Sequence, residues 1–517
     1  MTSQGAHQMM RRTAVTVLAT MGVLVAGLVA VAAPAASPVP EAAALVRVSG
    51  TSPVAGCHAA ADKLVPPGST EPVIAVNPRN SWNLVALWQQ DHFHAIVAGV
   101  SFNRGKSWRP VNIRGVTSCT GGRYPYADDP SIGFGPDGSV YASAHTYALA
   151  GSNQSVSGRV IARSSDGGLT WSRPHPVIPY IHQQNGETAN GSIAVDRRNR
   201  RVIYSVVPTF TYQGRLSEGK VLFTESRDSG YHWDTSRTIL DAGPGYVTAG
   251  NQLLVLPDDE LVDVLTLVNA QTNAKRVAVI RSADEGRTWS QPVIVSALDS
   301  ALIRAPKTRL PVASGGTLLV TATAAPVTGR IYIVWQDARF SGGKVNAIVL
   351  STSGDGGKTW SPPVKVNMHA SPSPALGEQA LIPSVAVTGS GAVGVSWYQL
   401  RPDQDGPALL ADRWLAVCHP VPQHACAAFA RPVSLTAAPF DFTHTPVLSV
   451  GPHGYFVGDY MLMAATGTQF VDVFSQPLKS NPDVVFAGLA LAGHKYVRVV
   501  PVRRRSGWMS CGTRSSS

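Results

Sequence analysis

The sequence predicts an all-β fold, a β-propeller of six to seven four-stranded antiparallel blades, and three observations carry that prediction. First, an eight-residue motif, Ser-x-Asp-x-Gly-x-x-Trp, occurs five times, starting at Ser101, Ser164, Ser226, Ser282 and Ser353. The starts lie 63, 62, 56 and 71 residues apart (164−101, 226−164, 282−226, 353−282), and a near-even period of this kind marks a repeat architecture. Second, four short runs rich in Val, Ile and aromatics surround each motif, separated by Gly, Pro and Asp, as a four-stranded meander requires. Third, the chain has 517 residues with 44% hydrophobic, 15% charged, 48 Gly and 38 Pro. That is too long for one ordinary core unless repeated units are arranged radially.

In chain order, residues 1–35 read as a secretory signal. Arg11 and Arg12 precede the apolar run "TAVTVLATMGVLVAGLVAVAA", which leads into Ala33 and Ala35. No later segment offers 18 consecutive apolar residues, so no stable membrane span is expected after cleavage and the protein is expected to be secreted. Residues 36–65 form an N-terminal linker, 66–480 the propeller, and 481–517 a C-terminal strand with a basic tail. Opening strands recur as "PVIAVNP", "PSIGFGPDG", "GSIAVDR", "NQLLVLPDD", "LPVASGG" and "IPSVAVTGSG". The sixth unit lacks the motif and carries Cys418 and Cys426 instead. A half-unit follows from Asp459. It either completes a seventh blade, with "ALVRVS" at 44–49 closing the ring, or braces a ring of six.

The five cysteines favour disulfides in an oxidising compartment. Cys418 and Cys426 flank a short Pro-containing loop and suit one staple. They are preferred as a disulfide over a zinc site with His419 and His424. Cys57 with Cys119 is a second pairing, leaving Cys511. The net charge is +11, with local clusters at 197–201 and 503–505. Neither cluster interleaves aromatics as a nucleic-acid module would, so no nucleic-acid partner is expected. No cofactor is implied, and the sequence leaves the oligomeric state open.

The repeated motif itself reads as scaffolding. An Asp between the third and fourth strands can accept bonds from the N–H groups of a tight turn, and Gly tolerates positive φ there. The Trp, five residues on, is expected to pack over the outer strands. These positions are Asn103, Asp166, Asp228, Asp284 and Asp355, with Trp108, Trp171, Trp233, Trp289 and Trp360. Asn103 can still accept those bonds. Five equivalent carboxylates spread around a ring cannot converge on one substrate, and calcium binding is the remaining alternative for them.

The five motifs resemble the Asp-box, or bacterial neuraminidase repeat, of sialidase-type propellers. The body from about Glu71 to Gln476 resembles an exported actinobacterial group of such proteins, through "EPVIAVNPRN", "WQQD", "IVWQDARFSGG" and "YFVGDY". The resemblance implies a pocket on the face opposite the motif turns, built from second-strand exits and the loops that lead into each blade. The exits carry Asp91, His145, Tyr147, Asp337, Arg339, Tyr398 and Arg401. The loops carry Glu71, Asp128, Asp129, Glu187, Tyr246, Asn251, Arg304, Lys307, Arg309 and Glu378.

That family binds the substrate carboxylate with three arginines and uses a Tyr nucleophile with a Glu partner and an Asp acid/base. By type, the resemblance implies Tyr398 as nucleophile, Glu378 as its partner, and Asp91 or Asp129 as acid. Arg304, Arg309, Arg339 and Arg401 would bind the anion, with Asp337 beside them. "EPVIAVNP" stands where that family carries Arg-Ile-Pro, and Tyr460 lies in "FVGDYM". Three functions stay open: an exo-α-sialidase-type glycoside hydrolase, a non-catalytic propeller binding a glycan, cell wall or protein, and hydrolysis of another polysaccharide by paired carboxylates drawn from Asp91, Asp129, Asp337 and Glu378.

Overall fold

A computed structural model describes residues 45–57, 67–150, 154–184, 186–212, 216–312, 317–367, 378–402, 408–420, 425–426, 428–448, 454–478, 482–492 and 495–498. Residues 1–35, expected to be a secretory signal, together with His424, Cys511 and the 503–505 cluster, lie outside these residues.

Seven antiparallel sheets of at least four strands form the seven blades of a propeller. Blades 1 to 6 open with the strands Ser69–Val76, Tyr126–Phe134, Ser192–Val195, Tyr246–Val255, Thr321–Ala324 and Gln379–Val387. Blade 7 draws on both flanks of the chain. Its inner strands are Ala464–Ala465, Gln469–Pro477 and Pro482–Ala492, and Val46–Arg47 pairs outermost, Val46 opposite Phe486. The half-unit is therefore a full blade, and the N-terminal strand closes the ring. Closure leaves no long open edge, which is how radial repeats avoid edge-to-edge association.

Seven apolar clusters each span one blade–blade interface. One packs Trp335 and Val349 of blade 5 on Val277 and Val279 of blade 4; another packs Phe470 and Phe474 of blade 7 on Tyr398 of blade 6.

The repeated motifs build the same turn five times. In the fifth, Asp355 Oδ1 accepts from the backbone N–H of Lys358 and Thr359, both at 3.0 Å, and from Ser353 Oγ at 2.8 Å. Asn103 Oδ1 likewise accepts from Ser101 Oγ and the Ser107 N–H, each at 2.9 Å. Although burial pushes the other way, the bonds from Thr359 and Ser353 hold the Asp355 carboxyl down at about 2. The Trp packs over its own third strand, Trp108 lying 3.4 Å from where a Cβ on Gly99 would be, and it also reaches the preceding blade. Trp108 meets Phe486 of blade 7 at 5.4 Å and Trp289 meets Phe223 of blade 3 at 5.6 Å. The motif glycine explains that approach: a Cβ on Gly105 would lie 2.3 Å from Phe486, and φ there is +80°.

Two disulfides are present, Cys57–Cys119 and Cys418–Cys426, with Cα separations of 5.9 and 5.5 Å. The second staples the turn between the third and fourth strands of blade 6, where the motif is missing. Among the described residues no helix is long and apolar enough to cross a membrane.

The inner strands share one further device. Their register slips by one residue near the start, two inner-strand residues facing one of the next strand, at 71–72 in blade 1, 129–130 in blade 2, 250–251 in blade 4 and 382–383 in blade 6. Glu71, Asp129 and Ile382 sit in these bulges with φ of 54°, 50° and 47°. Non-glycine residues adopt that region only where the surroundings hold them. Here a girdle of bonds around the axis does so. Ile193 N–H donates to Ser131 Oγ, Leu253 N–H to Ser192 Oγ, Ala322 N–H to Gln252 Oε1 and Met463 N–H to Ser384 Oγ, at 3.2, 2.8, 2.8 and 2.7 Å. Blade 7 meets blade 1 through Leu462 N–H on the Pro72 carbonyl at 3.2 Å.

Candidate functional site

At the junction of blades 7, 1 and 2 the bulges bring carboxyl groups together. Glu71 is 3% exposed and Asp129 9%. Glu71 Oε1 accepts the Asp459 N–H at 3.1 Å, and its Oε2 is buried without a hydrogen-bond partner. Asp129 Oδ1 accepts the Asn190 amide at 3.0 Å. Asp128 contacts His145 Nδ1 at 2.7 Å, and the Tyr460 hydroxyl donates to the Pro130 carbonyl at 2.8 Å. Beneath them the fully buried Arg159 donates Nη2 to the Asp129 backbone carbonyl at 3.1 Å and Nε to Ser143 Oγ at 2.6 Å.

Few positive charges answer these carboxylates, and the titration of the cluster reflects that. Burial pushes Asp129 up to about 8, Asp128 adds to the rise, and His145 and Arg159 oppose it. Glu71 is raised well above the carboxylate range by burial and by repulsion from Asp129, Asp459 and Asp128. Burial, Glu71 and Asp129 raise the Tyr460 hydroxyl too. Burial and mutual repulsion thus favour the protonated forms of both buried carboxyl groups, Glu71 and Asp129.

An aromatic wall adjoins this floor. His145 stacks on Tyr147 at 5.0 Å, Tyr147 meets Tyr126 at 5.5 Å, and Tyr126 stacks on His94 at 5.9 Å. Phe93 enters the same cluster with Phe456, held by a left-handed turn in which Asp91, His92 and Phe93 have φ of 33°, 54° and 60°. On the propeller axis, Tyr460, Asn190 and Pro130 border a cavity of about 50 Å³. That volume suits a water or two and excludes a sugar ring; Asp128 and Tyr147 are the partly exposed members of the cluster.

Asp128, Asp129 and His145 each offer a possible metal-ligand atom, all within 4.8 Å of one another. Asp128 and His145 already bond to each other, and Asp129 accepts from Asn190.

The other sequence-derived candidates are placed elsewhere. Tyr398 is fully buried in the blade 6–7 interface, where its hydroxyl donates to the Ser475 carbonyl at 2.5 Å and its ring packs against Phe440, Phe442 and Phe474. Burial pushes that hydroxyl far above its usual range. It cannot reach a substrate, which corrects its reading as nucleophile. No hydrogen bond joins it to Glu378, which lies half-buried ahead of the blade 6 inner strand. Asp91 accepts the Gly68 N–H at 2.7 Å and so fixes a turn. Asp337 is fully buried, bound to Trp335 Nε1 at 2.8 Å and Arg339 Nη2 at 2.7 Å. Arg339 is thereby neutralised, as Arg401 is by Asp412. Arg304 and Arg309 are exposed on one hairpin. These arginines do not converge into a clamp.

Of the acids that the sequence offers as catalytic, Asp91, Asp129 and Glu378, only Asp129 lies at this cluster. Its neighbours Glu71, Asp128, His145 and Tyr147 were legible as loop residues, but their convergence was not. Arg159 and Asp459 carried a weaker signal, an arginine inside the strand "GRVIARSS" and an acid beside Tyr460.

No protein-family profile matches the chain, and no curated protein matches it. Solved structures do. A Hadza microbial sialidase is 14% identical, covering 79% of this chain and 73% of its own, with a TM-score of 0.44. An α-L-arabinofuranosidase from Fusarium graminearum is 12% identical, covering 68% and 93%, with a TM-score of 0.44. An ulvan lyase representing a polysaccharide lyase family is 10% identical, covering 82% and 94%, with a TM-score of 0.46. At these identities the likeness describes the fold and carries no activity across.

Proposed function

We propose that the chain is an exported glycan-acting propeller that hydrolyses a glycosidic bond with paired carboxyl groups, Asp129 as the acid and Glu71 as its partner. The observation that carries this reading is the meeting of two nearly buried carboxyl groups, Glu71 and Asp129, in one cluster where Glu71 Oε2 has no hydrogen-bond partner and burial raises both groups. The aromatic wall gives flat faces on which sugar rings can stack. The two disulfides and the N-terminal apolar run support export.

In this reaction Asp129 delivers its proton to the glycosidic oxygen as the C–O bond breaks. Water then attacks the anomeric carbon and gives its proton to Asp129, now a carboxylate, which restores the starting state. Glu71, whose own carboxyl is raised by burial, offers its Oε2 to that water. His145 holds Asp128 beside the pair, and Arg159 fixes the Asp129 backbone. The finer exo-α-sialidase form of this reading would need an arginine clamp. Arg159 alone faces the cluster, so hydrolysis by carboxyl groups is the form we carry.

The test is release of reducing ends by the purified full chain from a panel of polysaccharides and aryl glycosides. Glu71→Gln and Asp129→Asn are each expected to lower turnover on the active substrate by about 100-fold or more. Glycan binding without turnover across the panel would favour the non-catalytic alternative, for which the near-closure of Glu71 is the supporting observation.

A further inference from the structure

The loop between blades 4 and 5 carries three exposed cations, Arg304, Lys307 and Arg309. Arg304 bridges to Pro311 as a β-hairpin, closed by Ala305 N–H on the Leu310 carbonyl at 2.9 Å and Val312 N–H on the Ile303 carbonyl at 3.0 Å. Ile303, Ala305 and Val312 are buried and anchor it, while Arg304, Lys307 and Arg309 are exposed. Arg304 Nη1 lies on the Arg309 carbonyl at 2.9 Å, which fixes its guanidinium across the tip. Among the described residues no ion pair involves any of the three. The sequence explains why: no Asp or Glu occurs between Asp299 and Asp337.

The hairpin is tied to the reaction centre. Tyr455 N–H donates to the Pro311 carbonyl at 2.9 Å and its hydroxyl to Thr308 Oγ1 at 3.2 Å. The next residues are Phe456, which packs on Phe93 in the aromatic wall, and Val457, whose carbonyl accepts the Glu71 N–H at 3.3 Å. The backbone that braces the cationic tip thus also holds Glu71. Phe340 is 51% exposed on a turn whose Ala338 N–H donates to the carbonyl of Asp299, in the segment that leads into the hairpin.

We propose that this hairpin is a docking surface for a polyanionic polysaccharide, one bearing carboxylate or sulfate groups along its chain. The inference rests on the carbohydrate reading above and names the substrate class for it. Guanidinium forks match the paired oxygens of carboxylate and sulfate, and the exposed Phe340 ring offers a stacking face. The charges divide the labour. Acidic groups of the chain meet the hairpin, and the bond to be cut meets the floor, where a protonated Asp129 repels an anion less than a carboxylate would. Cations on the rim also raise the capture rate of a polyanion.

The experiment measures binding of the full chain to polygalacturonate, dextran sulfate, neutral dextran and a DNA duplex at several salt concentrations. The variants are wild type, Arg304→Gln/Lys307→Gln/Arg309→Gln, and Asp129→Asn. We expect polygalacturonate or dextran sulfate to bind with marked salt dependence and neutral dextran not to. The triple variant is expected to lose roughly tenfold or more in affinity, since exposed charges contribute modestly one by one and add along a polymer. Its melting temperature should match wild type, because the three side chains are exposed. Preference between the two acidic glycans separates carboxylate from sulfate recognition.

Undiminished binding by the triple variant overturns the proposal, as does DNA binding as tightly as either glycan. Turnover lost in Asp129→Asn, with polyanion binding unaffected by the triple variant, removes the hairpin and leaves the reaction centre standing. Polyanion binding lost in the triple variant of a protein that hydrolyses nothing does the reverse.

Discussion

Arg159 donates to the backbone carbonyl of Asp129, at 3.1 Å, and not to its carboxylate. The buried cation therefore secures the bulge conformation of Asp129 while leaving its side chain short of compensation. In blade 6 the same device has a different outcome. Arg413 reaches the Ile382 carbonyl at 3.1 Å and Ser396 Oγ at 2.9 Å, as Arg159 reaches Asp129 and Ser143, but it also bonds Asp472 of blade 7 at 2.9 Å. In blade 2 no such partner answers Arg159, whose Nη1 is buried without a bond. One copy of the pattern is a structural lock and the other sits under the Glu71–Asp129 cluster.

The stability of wild type should depend on the Asp129 proton. Its folded value, about 8, lies above its ordinary value of 3.8. Such a group contributes stability that is fully present below about pH 4 and lost as pH rises through about 8. Asp129→Asn removes that loss. Thermal melts should show the variant gaining on wild type from pH 4 to pH 8, reaching several degrees at pH 9. Parallel curves for the two proteins would place an ordinary carboxyl group at this position.

Tyr398→Phe is expected to leave turnover unchanged and to cost about 1 kcal/mol of stability through the bond lost to Ser475. Arg413→Ala strands Asp472, which is 2% exposed, and is expected to cost about 3–5 kcal/mol in chemical denaturation. A catalytic Tyr398 would reverse the first expectation.

The motif turns respond to acid with the opposite sign. Asp355 is held at about 2 against an ordinary 3.8, so its contribution is present above about pH 4 and lost as pH falls through about 2. Asp355→Ala should cost about 1–2 kcal/mol at neutral pH, as lost turn-capping bonds do. The gap to wild type should close as pH approaches 2. A constant gap across that range would mean the turn does not depend on the charge.

Ring closure should be sensitive to reduction. Only Val46 and Arg47 of the closing strand pair with blade 7, and Cys57–Cys119 fastens the segment that follows them to the loop after blade 1. Closing a loop of 62 residues by a disulfide restricts the unfolded chain by roughly 3–4 kcal/mol. Cys57→Ser/Cys119→Ser is therefore expected to melt several degrees lower, and to show faster amide exchange in residues 485–486 than in blade 4.

Much of this fold was legible because its signals are local. The motif spacing marks five blades, and turn residues between Val- and Ile-rich runs mark the strands. "ALVRVS" and the cysteine pairs were visible as means of closure. The site depended on convergence, which no local pattern encodes. Tyr398 and Tyr147 both leave second strands, yet one faces a blade–blade core and the other a partly open wall. The signal that was available is the bulge itself. "TEPV", "DDPS" and "LIPS" are equivalent stretches, and only the first two carry an acid before the proline. Reading those axial positions against one another singles out Glu71 and Asp129.

The pH dependence of kcat/KM on the best substrate, for wild type and Asp129→Asn, tests the central claim most directly. Wild-type activity is expected to fall on the alkaline side with a limb near pH 8, as Asp129 gives up its proton. The variant should lose that limb together with about 100-fold or more of the rate at pH 6. A variant that keeps the wild-type rate and the same alkaline limb would contradict the assignment of Asp129 as the acid.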